Sequence, residues 1–334
     1  MTQQQYALDE LNFETTIGQY GQEAEGTEIP LIDLYDFDNR KAEITEALWK
    51  AATEVGFFQL INHDIPLEEI ERAFSLSEAF FAQPTIEKER YPLKQGQNAG
   101  WEFKAQVRPS TGLADQKESY QITLPRMEGL WPSETDLPAF TREMQKMEHD
   151  AWKLGMKVLS CFASKLGFED DFFTHAHDRD SEEYQSTLRL LHYLPMKDVA
   201  SDKTYWRAGA HTDFDCLTMV FQQPNQGGLQ VAAGKDAKSN LLWSSVPPIA
   251  GVITCNIGDM LMRWSDDKLK STLHRVRMPT PEENQGPRYS MAFFCQANKS
   301  AIIQGPEGKY EPMSAEDYLL MRIAANFADT NKSA

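Results

Sequence analysis

Three residues have the chemical types and the spacing needed to hold one metal ion. His211 and Asp213 stand two positions apart, and on a β-strand such residues point to the same face. His274 follows much later, far enough along the chain for several strands to bring it back as a third ligand. Two imidazoles and one carboxylate on one face of an ion suit Fe(II) and leave its opposite face open.

A second pair, Arg288 and Ser290, has the same two-residue spacing. It would place a guanidinium fork beside a hydroxyl group, and this combination suits a carboxylate. Taken singly, His211 and His274 also fit structural histidines, and Arg288 also fits a surface salt bridge. The order of three ligands followed by the arginine–serine pair favours a functional site.

The elements that must position these residues begin with a helical region. Apolar residues at helical spacing predict a helix that ends at Gly56, a second over 67–81 and a long one over 139–166. A short strand over 57–61 follows the first of them. Ser314 opens an acidic variant of the capping box before a C-terminal helix.

From about Thr187 the pattern changes to short β-branched and aromatic runs, separated by Gly, Pro, Asn and Asp. This texture is typical of a sandwich or jelly roll. The predicted fold class is therefore α+β, with a double-stranded β-helix (jelly-roll) core, a helical N-terminal region and a C-terminal helix packed around it.

Composition restricts the partners. Lys and Arg number 33 against 50 Asp and Glu, and the net charge of −17 argues against nucleic acid or an anionic membrane. No apolar stretch approaches the roughly 20 residues of a membrane span, and the polar start is unlike a signal peptide. Four scattered cysteines predict reduced, mostly buried thiols. We expect a cytoplasmic monomer or weak homodimer that acts on a small molecule.

Several segments together resemble the 2-oxoglutarate- and Fe(II)-dependent dioxygenases of the isopenicillin N synthase-like superfamily. In the C-terminal half the matching segments are 207–222, 227–231, 256–265, 270–276 and 288–290, and in the N-terminal half 29–33, 56–63, 79–84, 100–101 and 115–122. Within this superfamily, Leu188-Arg-Leu-Leu-His-Tyr193 and Arg263-Trp-Ser265 are similar to fungal thymine 7-hydroxylase-like and related microbial enzymes.

The resemblance implies a single catalytic domain over 1–334 with Fe(II), 2-oxoglutarate and O2 as cofactor and co-substrates. His211, Asp213 and His274 would hold the iron, and Arg288, Ser290 and Tyr193 the far carboxylate of 2-oxoglutarate. The expected reaction oxidises a C–H bond of a small molecule of secondary metabolism, by hydroxylation, desaturation or cyclisation, and releases succinate and CO2. The predicted segments are a flexible arm (1–28), a helical and strand support region (29–186), the jelly-roll core (187–300) and the C-terminal helix (301–334).

Candidate substrate contacts come from both halves of the chain. Strand alternation after Arg288 and Ser290 points Phe294 into the same cavity, as a platform for stacking a planar or apolar substrate. Phe214, next to the metal-binding strand, could form another wall. The resemblance adds residues from segments that line the cleft in this family: Trp101, Phe103, Lys104, Arg108 and Gln121.

Two other functions stay open at this point. One is an Fe(II) oxidase of the isopenicillin N synthase type, which works without 2-oxoglutarate and in which the arginine–serine pair binds a substrate carboxylate. The other is a non-enzymatic jelly roll that binds a metal or ligand. Among the remaining histidines, His63 is expected to be a buried turn residue, whereas the charged neighbours of His149, His175 and His177 predict exposed positions.

Overall fold

A computed structural model describes residues 22–23, 28–94, 96–106, 114–199, 206–232 and 242–328. The helices in these ranges are α1 (Phe37–Glu54), α2 (Leu67–Phe81), α3 (Thr85–Lys88), α4 (Phe140–Leu166), α5 (Phe172–Ala176), α6 (Asp259–Trp264) and α7 (Ala315–Ala328). The strands are β1 (Gln22–Glu23), β2 (Leu31–Asp33), β3 (Phe57–Ile61), β4 (Gly100–Phe103), β5 (Lys117–Ile122), β6 (Thr187–Tyr193), β7 (Ala208–His211), β8 (Leu217–Gln222), β9 (Leu229–Ala232), β10 (Leu242–Ser245), β11 (Ile253–Ile257), β12 (His274–Val276), β13 (Arg288–Cys295), β14 (Ile302–Ile303) and β15 (Met313–Ser314).

Most of these strands form two sheets. Within the described residues, the large sheet has the order β2-β3-β11-β8-β13-β6-β5-β4 and the small sheet the order β1-β10-β9-β12-β7. Four strands of the large sheet, β2 to β5, precede residue 187, so the N-terminal region completes the sheet as well as supplying helices. Of the predicted arm, the described part includes β1, which pairs in parallel with β10.

The two sheets pack face to face. Buried side chains from both meet between them, among them Phe57, Leu191, Tyr193 and Ala292 from the large sheet and Ala208, Leu229, Val231 and Val276 from the small sheet. This arrangement is the predicted jelly roll. We call the space between the sheets the interior.

The helices cover the other face of the large sheet. The long helix α4 packs against α1, α2, α5 and strands β8 and β13, and its buried side chains join the main apolar core. It ends at Gly167 with φ +79°, where the amide of Phe168 donates to the carbonyl of Ala163 over 2.9 Å. Glycine tolerates this left-handed conformation, so it stops the helix as predicted.

The strand and helix limits predicted from sequence agree closely with the structure. Gly56, between α1 and β3, has φ +79°, and a Cβ atom there would lie 2.3 Å from the carbonyl oxygen of Lys270. At the start of α7 the Ser314 hydroxyl donates to the Asp317 carboxylate over 2.8 Å and accepts the Asp317 amide over 3.0 Å. Among the described helices, none has the length and apolar character needed to cross a membrane.

Of the three histidines predicted to be exposed, His175 is exposed, His149 is half-buried and His177 is buried. His177 is fully buried, with its ring nitrogens 2.7 Å from the carbonyl oxygen of Phe173 and 3.3 Å from that of Cys295. Burial lowers its pKa to about 4. His63 is buried as expected, and its Nε2 lies 2.8 Å from the carbonyl oxygen of Gly251. Neighbouring charges in sequence therefore do not report burial when the loop folds back against a sheet.

The four cysteines are free thiols and all are buried, as predicted. Burial raises the pKa of each of them, most strongly for Cys216, Cys255 and Cys295. In β13, Cys295 alternates with residues that face the interior, so its side chain lies on the helix side of the large sheet.

A buried carboxylate ties α4 to the segment before β6. Glu148 is 0% exposed and accepts hydrogen bonds from the Tyr184 hydroxyl over 2.6 Å and from Nε of Arg179 over 2.8 Å. We expect Glu148→Ala to lower the free energy of unfolding by about 1–3 kcal/mol, because the Tyr184 hydroxyl stays buried without its acceptor, whereas Arg179 is partly exposed. Urea denaturation measures this change.

Asp150→Ala is the matched control on the same helix. Asp150 pairs with Lys146 near the surface, at 2.8 Å, so its loss should cost no more than about 1 kcal/mol. Equal effects of the two substitutions would contradict a structural role for the buried Glu148 cluster.

Candidate metal centre and adjoining interior pocket

Strand pairing in the small sheet brings the two predicted histidine ligands together. His211 ends β7 and His274 begins β12, and the two residues are directly opposite each other in the antiparallel register. Their ring centroids lie 4.3 Å apart. Asp213 follows β7, and ligand atoms of all three residues lie within 4.8 Å of one another. This is the one such group of three found among the described residues.

The donor set fits a metal cation. Nδ1 of His211 lies 2.7 Å from the carbonyl oxygen of Gly209, and Nδ1 of His274 lies 3.2 Å from that of Thr272. If each Nδ1 carries the proton that the carbonyl accepts, each Nε2 keeps its lone pair for a metal. The Nε2 atoms lie 3.7 and 3.6 Å from the carboxylate oxygens of Asp213.

The large sheet holds the carboxylate. The Thr218 hydroxyl donates to Oδ2 of Asp213 over 2.7 Å, and the side-chain amide of Asn256 donates to the same atom over 2.8 Å. Burial raises the pKa of Asp213, but His274, His211 and the two hydrogen bonds outweigh burial and hold it below its ordinary value. The anionic form that a metal requires is therefore favoured.

The predicted carboxylate-binding pair lies on the interior face of β13. Arg288 is 2% exposed, and it donates to the Ser290 hydroxyl over 3.2 Å and to Oε1 of Gln222 over 3.2 Å. Its Nε donates to the carbonyl oxygen of Gln226 over 2.9 Å. Tyr193 lies opposite Arg288 in the strand register, and its ring centre is 4.8 Å from the guanidinium carbon. The structure thus brings all three residues predicted to bind 2-oxoglutarate to one end of the interior.

A second buried guanidinium increases the positive charge at this end. Arg207 is 3% exposed and donates to the carbonyl oxygen of Gly286 over 3.1 Å. Burial and the nearby positive charge of Arg288 lower the pKa of Arg207 to about 10. Two cations in a dry environment repel each other, and a nearby anion offsets the cost of this repulsion. The end of the interior around Arg288 is therefore suited to an anionic group.

The other end of the β13 interior face is aromatic and cationic. Phe294 points inward as predicted, because it alternates with Arg288 and Ser290. The guanidinium carbon of Arg189, on β6, lies 4.8 Å from the Phe294 ring centre. Arg189 also donates to Oε1 of Gln121 over 2.8 Å. Phe294 and Gln121 therefore both contact Arg189, a residue that the sequence analysis did not select.

The structure does not bring Trp101 and Phe103 to the interior. In the β4–β5 register they lie opposite Tyr120 and Glu118, whose side chains are on the helix side of the large sheet. Nε1 of Trp101 donates to Glu118 over 2.7 Å, and Phe103 stacks on Trp101 and is 49% exposed. The family segment was matched, but the parity of strand β4 points these two side chains away from the site.

The remaining predicted contacts have other placements. Nζ of Lys104 lies 5.5 Å from the Phe103 ring centre, beside the outward-facing aromatic pair. Arg108 lies outside the described residues. Phe214 is half-buried, and its ring centre is 5.0 Å from the guanidinium carbon of Arg322 on α7. Phe214 thus contacts the C-terminal helix.

Four polar residues of the site were not selected from sequence: Thr218, Gln222, Asn256 and Arg189. Each is a polar residue inside an apolar strand and points to the interior. A buried polar side chain needs a partner, so polar residues at such positions are a usable signal for a site. Knowing which face they occupy requires the strand register.

Comparisons with known proteins agree with this geometry. Residues 184–297 match the 2OG-Fe(II) oxygenase superfamily, and residues 29–138 match the N-terminal region described as non-haem dioxygenase in morphine synthesis. The 2-oxoglutarate-Fe(II) type oxidoreductase hxnY of Emericella nidulans is 30% identical over 86% of this chain and 87% of its own length.

Solved structures are similar over nearly the whole chain. Full-length thymine 7-hydroxylase of Neurospora crassa, in complex with alpha-ketoglutarate (2-oxoglutarate) and thymine, has a TM-score of 0.78 and 30% identity, and the match covers 91% of this chain and 98% of that one. A 2OG-Fe(II) oxygenase family protein from Caulobacter crescentus has a TM-score of 0.75 and 29% identity, over 90% and 99% of the two chains. These matches and the His–Asp–His group are those of an iron- and 2-oxoglutarate-dependent oxygenase. The chain belongs to the 2OG-Fe(II) oxygenase superfamily.

Proposed function

We propose that this enzyme oxidises a C–H bond of a planar small molecule that is held beside Phe294 and Arg189. His211, Asp213 and His274 would bind the iron, and Arg288 and Ser290 would bind the far carboxylate of 2-oxoglutarate. The observation that carries this proposal is that both groups of side chains open into one interior between the two sheets.

The iron, when bound with 2-oxoglutarate and O2, supplies the oxidising chemistry, and the protein contributes binding and orientation. Thr218 and Asn256 hold Asp213 in one orientation by hydrogen bonds of 2.7 and 2.8 Å. Arg288 presents guanidinium N–H groups and Ser290 a hydroxyl to a carboxylate. Burial of these groups strengthens such charge-assisted hydrogen bonds and keeps water away from the bound anion.

The arrangement at Arg288 also favours 2-oxoglutarate over a substrate carboxylate as its ligand. Phe294 and Arg189 lie at the opposite end of the same strand face, so a substrate held beside them leaves Arg288 available for 2-oxoglutarate. The family membership supports the same choice over the oxidase that works without 2-oxoglutarate. Stoichiometric release of succinate with product is the direct test.

We infer the substrate's shape from the Phe294–Arg189–Gln121 group. An aromatic ring offers a stacking surface, Arg189 offers hydrogen-bond donors, and the Gln121 amide offers both a donor and an acceptor. The similar Neurospora crassa structure holds thymine, a planar molecule with carbonyl and N–H groups. A succinate-release screen over pyrimidines, amino acids and phenolic or terpenoid metabolites identifies the substrate, and we expect stimulation by a planar compound.

The net charge of −17 supports a small-molecule partner and disfavours nucleic acid and anionic membranes. A cytoplasmic location and a monomeric or weakly dimeric state remain part of the proposal. Sedimentation velocity at micromolar concentration tests the oligomeric state.

The first of three predictions about the site concerns the metal-binding carboxylate. Asp213→Ala removes the anionic ligand, and we expect turnover to fall by more than about a hundredfold, a larger loss than the 10–100-fold typical of partners that only orient ligands. The metal-free variant should keep the wild-type circular dichroism spectrum, with a lower thermal midpoint because Thr218 and Asn256 stay buried without their acceptor. Asp215→Asn changes a buried carboxyl outside the His–Asp–His group and should retain turnover. Near wild-type coupling of 2-oxoglutarate to product in Asp213→Ala would disprove the ligand assignment.

The second prediction concerns the co-substrate. Arg288→Lys keeps the charge but loses the guanidinium fork. Losing a charge-assisted hydrogen bond costs about 1.5–3 kcal/mol, so the apparent KM for 2-oxoglutarate should rise roughly ten- to a hundredfold. Iron binding should not change, and Ser290→Ala should raise the same KM by less. If Arg288→Lys instead weakens only substrate binding, Arg288 holds the substrate and the oxidase alternative is favoured.

The third prediction separates the two faces of the large sheet. Phe294→Leu should raise the KM for the substrate found in the screen by about two- to tenfold, because aromatic stacking is worth about 0.5–1.5 kcal/mol. The KM for 2-oxoglutarate should stay unchanged. Phe103→Leu is the matched control on the helix side and should leave both values unchanged. A raised substrate KM in Phe103→Leu, with no change in Phe294→Leu, would place the substrate on the helix side of the large sheet.

A further inference from the structure

The C-terminal helix brings a buried cation to the segment that carries the metal-binding carboxylate. Arg322 lies on α7 and is 2% exposed. One of its guanidinium nitrogens pairs with Asp259 Oδ2 and lies 3.4 Å from the Thr212 hydroxyl. Its guanidinium carbon is 5.0 Å from the Phe214 ring centre. The helix therefore contacts the residues immediately before and after Asp213.

Asp259 links this cation to the same segment. The Thr212 hydroxyl donates to Asp259 Oδ2 over 2.9 Å, and the backbone amide of Asp259 donates to the carbonyl oxygen of Asp213 over 2.8 Å. Asp259 is 1% exposed and begins α6. The path from α7 to the carboxylate-bearing residue thus consists of one ion pair and two hydrogen bonds, all buried.

Contacts at the start of α7 also fix the position of this helix. Ser314 and Asp317 form the capping box, and the amide of Ala315 donates to the carbonyl oxygen of Ala301 over 2.8 Å. Tyr318, one turn before Arg322, is 4% exposed. A buried ion pair is costly when one member is removed, because the other keeps an uncompensated charge. Displacement of α7 would impose that cost at Asp259, next to the metal-binding segment.

We propose that Arg322 is a positioning residue for the metal site, and that metal binding and the docking of α7 stabilise each other. The proposal rests on the assignment of His211, Asp213 and His274 as metal ligands. An ordered α7 holds Thr212, Asp213 and Phe214 in the conformation that presents the carboxylate. Because coupling of two equilibria is reciprocal, a metal that requires this conformation must in turn favour the docked helix.

The first test uses the wild-type full chain, stripped of metal with a chelator. Hydrogen exchange of the amides in 315–328 is measured with and without saturating Mn2+. The proposal expects slower exchange across α7 when Mn2+ is present, because the docked state is more populated. Helix α2, which packs on α4 and on strands β6 and β13, serves as the internal reference. Unchanged exchange in α7, with Mn2+ bound, would overturn the coupling.

The second test measures Mn2+ affinity by electron paramagnetic resonance of the free ion. Arg322→Met keeps the side-chain length without the charge and should raise the Kd by about fivefold or more, the lower range for coupled sites. Arg322→Lys should fall between Arg322→Met and wild type. Arg263→Met is the control, because the guanidinium carbon of Arg263 lies 5.9 Å from the Tyr318 ring centre, so this arginine also borders α7. It should leave the Kd unchanged.

The outcomes distinguish this proposal from the ligand assignment. If Asp213→Ala loses Mn2+ while Arg322→Met only lowers the thermal midpoint and keeps the wild-type Kd, the ligand assignment stands and the coupling is overturned. If Asp213→Ala binds Mn2+ as wild type does, the ligand assignment fails, and the positioning role of Arg322 fails with it.

Discussion

A carboxylate held between two β-sheets is the interaction on which this site depends. The two histidines beside Asp213 belong to the small sheet, whereas the two groups that donate hydrogen bonds to it, Thr218 and Asn256, belong to the large sheet. Each sheet alone would leave the carboxylate without half of its partners. The packing of apolar side chains between the sheets therefore fixes a polar group as well as a core, and the metal site is the place where the two requirements meet.

The interior is divided along strand β13. Arg288 and Ser290 lie near one end and Phe294 near the other, and along an extended strand Phe294 is roughly 20 Å from Arg288 and roughly 13 Å from Ser290. The strand pairs place Thr218, a partner of the metal-binding carboxylate, opposite Phe294 and Gln222, a partner of Arg288, opposite Ser290. Under the proposed function, 2-oxoglutarate would bind at the Arg288 end and the planar substrate at the Phe294 end, so the two ligands would not compete for the same residues.

Much of this arrangement could be predicted from the sequence, because local rules act there. The limits of α2 and β3 follow from periodicity and turn residues, and the spacing of Arg288 and Ser290 encodes that both side chains share one face of β13. Asp213 lies just beyond the end of β7, so its proximity to His211 follows from the turn after that strand. Trp101 and Phe103 do not face the interior, because pairing with β5, a tertiary contact, decides to which side of the sheet each β4 residue points. Arg189 could not be selected from the sequence, because its neighbours Leu188 and Leu190 make it resemble an ordinary strand residue. Only the strand register shows that its side chain faces the interior.

The cysteine positions bear on how long the enzyme can work. A metal centre that activates O2 in the absence of substrate can oxidise nearby side chains, and thiolates are the most easily oxidised of these. Here burial keeps the thiols protonated, and Cys295 stands behind the large sheet rather than inside the jelly roll. The large sheet therefore lies between the interior and the Cys295 sulfur. Phe294 and Tyr193 face the interior without this separation, and we expect oxidation in the absence of substrate to modify them before that thiol.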